Sequence, residues 1–143
     1  AYKIASFEAV DLPLIRYAAR QGRPLIISTG MANLAEMQAA LDTALEAGAA
    51  GVLLLHCVSS YPASFEDANV RTVVDMAQRF GCPIGLSDHT PGAAAAIAAV
   101  SLGACAVEKH FTLARADGGP DRTLGDDVFS HGRESPVHHC APG

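Results

Sequence analysis

Five short apolar runs recur along the chain at intervals of roughly 25–30 residues, and longer segments with helical spacing lie between them. The runs occupy residues 2–6, 24–29, 51–57, 83–89 and 105–111. They are largely continuous instead of alternating with polar residues, which is typical of strands that are buried on both faces. The pattern therefore predicts five parallel β-strands covered by helices.

The segments between the predicted strands carry helix signals. Asp11 and Asn33 are favourable N-cap residues that stand just before apolar positions at helical spacing, and Gly22 and Gly48 follow the expected helix ends. The four predicted helices cover about residues 12–20, 34–47, 66–80 and 91–102. Strands that alternate with helices in this way predict an α/β fold with a parallel sheet.

Polar side chains stand at the carboxyl end of every predicted strand. They are Lys3, Ser6, Glu8, Ser28, Thr29, His56, Ser59, Ser87, Asp88, His89, Glu108, Lys109 and His110. An open sheet concentrates its ligand groups at one switch point, whereas a barrel collects them from many strands at its mouth. Because a complete barrel needs about eight strands and ~250 residues, we predict a partial (β/α)₈ TIM barrel. An open five-stranded sheet is the alternative.

Composition and charge exclude several classes of function. The 143 residues are 50% hydrophobic and 17% charged, as in a globular domain, and the net charge of −5 argues against a nucleic-acid partner. No apolar stretch reaches ~18 residues and the first residues do not resemble a signal peptide, so we expect no membrane association.

The four cysteines form no C-x-x-C pair, which fits a reducing, cytoplasmic setting. Residues 122–143 have weak periodicity, and we expect an irregular or disordered tail after a barrel domain at 1–121.

Two histidines stand where a predicted buried strand meets its loop. His89 belongs to SDHT and His110 to EKHFT, one β/α unit further along the chain. Since neighbouring strands lie ~4.8 Å apart, the two imidazoles could converge on one divalent ion that keeps positions open for substrate oxygens. The alternative is a pair of strand-end histidines that are merely hydrogen-bonded.

A candidate anion site lies at the same strand ends. It consists of Lys3, Ser6, Ser28 and Ser87. Lysine suits phosphate, and the turn after Ser28 precedes a helix amino terminus, where anions bind well. Ordinary helix capping by the serines is the alternative. Glu8 could act as a general acid or base, or it could be a solvated loop carboxylate.

Seven motifs together resemble one family. KIASFE, ISTGMA, LHCVSSYPAS, EDANVRT, GLSDHT, LGACAVEKHFTL and RADGGPD are similar to segments of the sialic-acid synthase family, which makes nine-carbon sugar acids. KIASFE and ADGGPD look closer to its pseudaminic acid branch than to its N-acetylneuraminate branch. The resemblance implies a catalytic (β/α)₈ barrel, of which this chain would supply strands four to eight.

The resemblance also implies an activity. It is the condensation of phosphoenolpyruvate with an open-chain acetamido sugar, of the 2,4-diacetamido-2,4,6-trideoxy-altrose type, to give pseudaminic acid and phosphate. N-Acetylneuraminate synthesis from N-acetylmannosamine is one alternative, and a truncated, non-catalytic fragment is another. The implied full-length enzyme is a cytoplasmic homodimer without a nucleic-acid or membrane partner.

Roles for individual residues follow from the same resemblance. It implies that His89 and His110 bind a divalent metal and act in catalysis together with Glu8. Mn²⁺ is the expected ion, with Mg²⁺ and Co²⁺ as alternatives. The implied substrate-binding residues are Lys3, Ser6, Ser28, Ser59, Ser87 and Asp121. From about Arg122 the sequence departs from the family pattern.

Overall fold

Strands and helices alternate along the chain in the computed structural model, which describes residues 1–112 and 126–127. The elements are β1 (Tyr2–Ile4), a 3₁₀ turn (Ser6–Glu8), α1 (Leu12–Ala19), β2 (Leu25–Ser28), α2 (Leu34–Glu46), β3 (Val52–Cys57), α3 (Thr72–Phe80), β4 (Ile84–Asp88), α4 (Ala94–Ser101) and β5 (Val107–Lys109). The strands form one parallel sheet in the order β1-β2-β3-β4-β5. The predicted α/β fold with five parallel strands and four helices is therefore confirmed.

A short ladder follows the main sheet. Strands β6 (Phe111–Thr112) and β7 (Asp126–Asp127) pair in parallel. Asp121 lies outside the described residues, and so does the predicted tail at 122–143 apart from Asp126–Asp127. The division of the chain at residue 121 therefore stays a prediction.

Two of the helices begin where their capping residues predict. The Asp11 carboxylate accepts the backbone N–H of Leu14 at 3.0 Å, before α1. The Asn33 side chain accepts the N–H of Glu36, and the Glu36 carboxylate accepts the N–H of Asn33 at 2.8 Å. The two bonds form a capping box for α2.

Helix α3 begins six residues later than the sequence predicts, at Thr72 instead of residue 66. Asn69 has a φ of 44°, in the left-handed region, which a right-handed helix cannot include. The Ser64 hydroxyl and the Asp67 carboxylate also bond to each other at 2.9 Å, and Ser64 accepts the Asp67 N–H. These local bonds hold the segment in turns instead of helix.

The core lies between the outer face of the sheet and the helices. Strands β1 to β4 contribute aliphatic side chains that are almost fully buried, among them Ile27, Leu54 and Leu86. Helices α1 and α3 cover them with residues such as Ile15 and Met76. None of the helices in the described part of the chain is long and apolar enough to cross a membrane.

The sheet is curled, and one ion pair shows by how much. Lys3 on β1 and Glu108 on β5 lie on opposite edges of the sheet, yet Lys3 Nζ is 3.5 Å from Glu108 Oε1. In a flat sheet four strand spacings would separate them by about 19 Å, which exceeds the reach of the two side chains. The strands therefore close around a shared interior as half of a barrel, and the open-sheet alternative is wrong.

Candidate active site

The carboxyl ends of the strands place one set of polar side chains on the inner face of the half-barrel. Cys57 on β3 pairs in register with Ser87 on β4, and Ser87 pairs with Glu108 on β5. Residues at equal register face the same side of a sheet. Since Glu108 contacts Lys3 across the interior, this side is the inner face of the half-barrel. The carboxyl ends of the strands form the mouth of the barrel.

The two predicted histidines meet at this mouth. The ring centroids of His89 and His110 lie 5.3 Å apart, and their planes are inclined by 47°. His89 is buried, and its Nδ1 lies 2.8 Å from the carbonyl oxygen of Val58. Because a carbonyl can only accept, Nδ1 carries the proton in the neutral ring and Nε2 keeps its lone pair. The Val58 bond thus fixes the tautomer in which His89 can bind a metal through Nε2.

A thiol lies beside His89 and changes the titration of both groups. Cys57 Sγ is 3.9 Å from His89 Nδ1. Burial raises the pKa of the Cys57 thiol, but hydrogen bonds with His89, Ser6 and Ser87 and the charge of His89 outweigh it and lower the pKa below the ordinary value. Burial lowers the pKa of His89, but its bonds to Cys57 and Val58 and the nearby negative charges raise it overall.

A polar bridge crosses the mouth opposite the thiol. The Ser87 hydroxyl donates to Glu108 Oε1 at 2.9 Å, and the same oxygen faces Lys3 Nζ. Lys3 also donates to the Ile4 carbonyl at 3.1 Å. Both ends of the ion pair are partly exposed, so this pair contributes little to stability. The Lys3 ammonium is thus held at the mouth where an entering anion could reach it.

Two buried hydroxyls have no hydrogen-bond partner in the described part of the chain. They are Ser28 Oγ and Ser59 Oγ. Gly30 lies between β2 and the Ser59 loop, and a Cβ there would come within 2.5 Å of Ser59 Oγ and 2.9 Å of the Cys57 carbonyl oxygen. The Gly30 N–H donates to Ser6 Oγ at 3.2 Å. Leaving buried hydroxyls unpaired is costly, and this arrangement fits groups that are reserved for a ligand.

Replacing Ser28 with alanine is expected to stabilise the ligand-free chain. The change removes a buried hydroxyl that lacks a partner, so the free energy of unfolding should rise by about 1 kcal/mol. Chemical denaturation measures this difference. Ser87→Ala is the matched control, because it removes a hydroxyl that does bond to Glu108 and should lower stability. A loss of stability in Ser28→Ala would contradict the assignment.

The structure brings most of the predicted site residues together. Ser6 contacts the Cys57 thiol, Ser87 and Lys3 meet at Glu108, and His89 faces His110. Ser28 and Ser59 are present as the unpaired hydroxyls.

Glu8 does not line the cavity that the histidines border. Its carboxylate accepts the Ala5 N–H at 2.8 Å, and it shares with Lys3 a cavity of about 310 Å³ beside β1 and α1. The histidines instead border a separate cavity of about 240 Å³. Asp121 lies outside the described residues. The catalytic role predicted for Glu8 therefore stays a prediction.

Three residues of the site were not predicted to belong to it. The sequence pattern predicts no role for Cys57, and it indicates Glu108 only as a polar strand end. Tyr61 stacks on His89 with ring centroids 4.2 Å apart and meets His110 edge-on at 5.7 Å. Cys57 and Glu108 could have been predicted, because alternation along the strands places their side chains on the same face of the sheet as Ser87. No comparable signal marks Tyr61, which stands in a loop.

The cavity at the mouth has a polar lining. Ser87, His89, Glu108, Lys109 and His110 line the cavity of about 240 Å³. Among the described residues, no group of three or more histidine, cysteine, aspartate or glutamate side chains is arranged to bind a metal. Within residues 1–112 and 126–127, a cation at the histidine pair would thus have no third protein ligand of these types, which leaves positions open for substrate or water.

A half-barrel whose strand ends gather imidazoles, hydroxyls and an ammonium at one mouth defines the class: part of a (β/α)-barrel domain. The family model of the NeuB family matches residues 1–128, and the chain belongs to that family. The predicted family is thereby confirmed.

Individual relatives agree with this assignment. The chain is 45% identical over 126 residues to pseudaminic acid synthase of Helicobacter pylori, a match that covers 88% of the chain and 37% of the relative. It is 43% identical over 122 residues to N,N'-diacetyllegionaminic acid synthase of Campylobacter jejuni, covering 84% and 36%. It thus spans little more than a third of the length of these curated relatives.

A solved structure shows the same fold. The N-acetylneuraminic acid synthetase of Leptospira borgpetersenii, crystallised with citrate, superposes with a TM-score of 0.83 at 35% identity. The match covers 87% of this chain and 44% of that one. The chain therefore corresponds to less than half of that protein.

Proposed function

We propose that this chain forms part of the catalytic barrel of a synthase that condenses phosphoenolpyruvate with an open-chain acetamido sugar. The products would be a nonulosonic acid and phosphate. The observation that carries the proposal is the histidine pair, 5.3 Å apart, beside Lys3 and the unpaired hydroxyls of Ser28 and Ser59. These groups match a pair of substrates, of which phosphoenolpyruvate brings a phosphate and a carboxylate and the sugar brings a carbonyl.

The chain's own residues would hold the enol phosphate. The Lys3 ammonium is a point charge suited to phosphate, and the unpaired hydroxyls of Ser28 and Ser59 can donate to its oxygens. Ser6 and Ser87 complete the group of hydroxyls around the Cys57 thiol. Because these donors are already in position, they would hold the phosphate while charge shifts during the reaction.

In the proposed reaction the methylene carbon of phosphoenolpyruvate attacks the aldehyde carbon of the sugar. Water then adds at the enol carbon, and phosphate leaves with cleavage of its C–O bond. Tyr61 stands over His89 and offers an aromatic wall for the sugar. In this arrangement the two reacting carbons would lie next to the hydroxyl cluster.

We further propose that His89 and His110 hold a divalent cation, with Mn²⁺ first and Mg²⁺ or Co²⁺ as alternatives. The residues fit such an ion, since the Val58 carbonyl leaves Nε2 of His89 free to coordinate and His110 faces it. When bound, the ion would polarise the aldehyde oxygen of the sugar.

The sugar is proposed to be 2,4-diacetamido-2,4,6-trideoxy-altrose, which would make the product pseudaminic acid. This choice rests on the KIASFE and ADGGPD segments. It is supported by the 45% identity to a pseudaminic acid synthase. N-Acetylmannosamine is the competing substrate. We also propose that the intact enzyme is a cytoplasmic homodimer.

The intact barrel that contains this chain should release phosphate only when phosphoenolpyruvate, an acetamido sugar and Mn²⁺ are all present. A phosphate assay with each component omitted in turn, combined with mass spectrometry of the product, tests this. Turnover should be at least about tenfold faster on the diacetamido sugar than on N-acetylmannosamine, because unpaired polar groups penalise the wrong substrate. Phosphate release without any sugar would reject the proposed condensation.

The non-catalytic alternative is tested on the 143-residue chain itself. Strands β1 and β5 each pair on one side only within the described residues, and open strand edges favour self-association. A monomer in size-exclusion chromatography that melts at a higher temperature with Mn²⁺ would support a functional half-barrel. Aggregates without a Mn²⁺ effect would favour the non-catalytic alternative.

A further inference from the structure

A buried ion pair joins the two strands immediately before the two histidines. Asp88 and Lys109 are register partners on β4 and β5, and they directly precede His89 and His110. Lys109 Nζ lies 2.9 Å from Asp88 Oδ2 and donates to the Thr90 carbonyl at 2.6 Å. Asp88 Oδ1 accepts both the N–H of Thr90 at 2.9 Å and its hydroxyl at 2.8 Å. Lys109 is therefore bonded to the residues on both sides of His89.

The ion pair lies on the side of the sheet that faces away from the site. Ser87 and Glu108 bond to each other at the barrel mouth. Alternate residues of a strand point to opposite faces, so Asp88 and Lys109 point outward. Although Lys109 borders the cavity at the histidines, its ammonium is engaged by Asp88 and Thr90. The pair is thus placed to act on the histidines through the backbone and not on a ligand.

Stability alone does not explain why charges are used at this position. The Asp88 side chain is fully buried and that of Lys109 is 13% exposed. Desolvating two charges offsets most of their attraction, and apolar pairs of similar volume often stabilise a fold as well or better. What a bonded charge pair adds is a defined distance between two points of the backbone. Its best-attested use is to set the register of neighbouring elements.

We propose that Asp88 and Lys109 are positioning residues, which set the spacing of His89 and His110 for a shared divalent cation. The inference rests on the proposed metal site, and it assigns the orientation of the two histidines to Asp88 and Lys109. Since Lys109 also holds the Thr90 carbonyl, it fixes the backbone at which β4 turns away after His89. Supporting groups of this kind commonly change metal affinity by about 10–100-fold when they are removed.

The test compares metal binding with folding in the 143-residue chain. The double variant Asp88→Asn/Lys109→Met removes both charges together, while the amide oxygen can still accept the two Thr90 bonds. Its melting temperature without metal should stay close to that of the unaltered chain. Its affinity for Mn²⁺, measured by the loss of the free-ion EPR signal, should fall about 10–100-fold. The visible absorption of bound Co²⁺ should also change, because ligand geometry determines it.

Two further variants separate positioning from a general loss of charge. Lys109→Arg keeps a cation that can reach Asp88 and should restore most of the Mn²⁺ affinity. Asp75→Asn/Arg79→Met makes the same chemical change at a 2.7 Å surface pair on α3 and should leave binding unaltered.

The outcomes distinguish this inference from the function on which it rests. If the unaltered chain binds neither ion, the proposed metal site fails and the inference fails with it. If the unaltered chain binds Mn²⁺ and the Asp88→Asn/Lys109→Met variant binds it equally well with the same Co²⁺ spectrum, only the positioning role is overturned.

Discussion

Replacing His89 or His110 with alanine is expected to abolish Mn²⁺ binding and turnover of the intact enzyme. The two rings lie 5.3 Å apart, and the described part of the chain offers no third histidine, cysteine or carboxylate group arranged with them as a metal site. With half of the protein ligands gone, little affinity should remain. The rate should fall by at least about 10³-fold, since even one stabilising donor at a developing oxyanion can account for 10²–10³-fold.

His56 supplies the matched control for this experiment. It also stands near the end of a strand and is buried, but its Nε2 bonds to the Ala68 carbonyl at 2.9 Å, on the other side of the sheet. His56→Gln keeps an N–H donor for that carbonyl and should leave the Mn²⁺ affinity unchanged. Calorimetric titration of the three variants with Mn²⁺ gives the comparison. Full turnover in His89→Ala or His110→Ala would falsify the metal assignment.

Replacing Lys3 with methionine is expected to weaken phosphoenolpyruvate binding by about 10–100-fold. A charge-assisted hydrogen bond is worth about 1.5–3 kcal/mol, and each 1.4 kcal/mol changes affinity about tenfold. Stability should change little, because the Lys3–Glu108 pair is partly exposed. Titration calorimetry with phosphoenolpyruvate and thermal melting of the intact enzyme measure the two effects separately.

Glu108→Gln distinguishes two explanations for the Lys3 effect. If Lys3 acts only by holding Glu108 in place, both variants should weaken binding to a similar degree. If Lys3 binds the phosphate, removing the carboxylate 3.5 Å from its ammonium should leave affinity unchanged or increase it. Equal weakening in both variants would contradict a direct phosphate contact.

The order of elements could be predicted because each depends on neighbouring residues. The N-caps Asp11 and Asn33 bond within their own helices, and continuous apolar runs indicate strands buried on both faces. The start of α3 was predicted wrongly, since the left-handed backbone of Asn69 and the Ser64–Asp67 bonds override the apolar spacing after residue 66.

The convergence of His89 and His110 could also be expected from sequence. Two strand ends one β/α unit apart are usually neighbours in a parallel sheet, and always so in a (β/α) barrel, where strand spacing sets the distance between them. The partners of these histidines could not be expected. Tyr61 reaches them from a loop, and the Val58 carbonyl that sets the tautomer of His89 depends on how that loop turns.

The chain's own order of apolar and polar residues determined the α/β alternation, the parallel sheet and the set of polar strand ends, because those features arise from short-range periodicity and right-handed connections. Only the tertiary structure decided that β1 and β5 face each other closely enough for Lys3 to meet Glu108. It also decided that Ser28 and Ser59 keep unpaired hydroxyls, and that Lys109 points away from the mouth to Asp88. These features depend on the curl of the sheet, which sums small twists over five strands and cannot be assigned to any single segment.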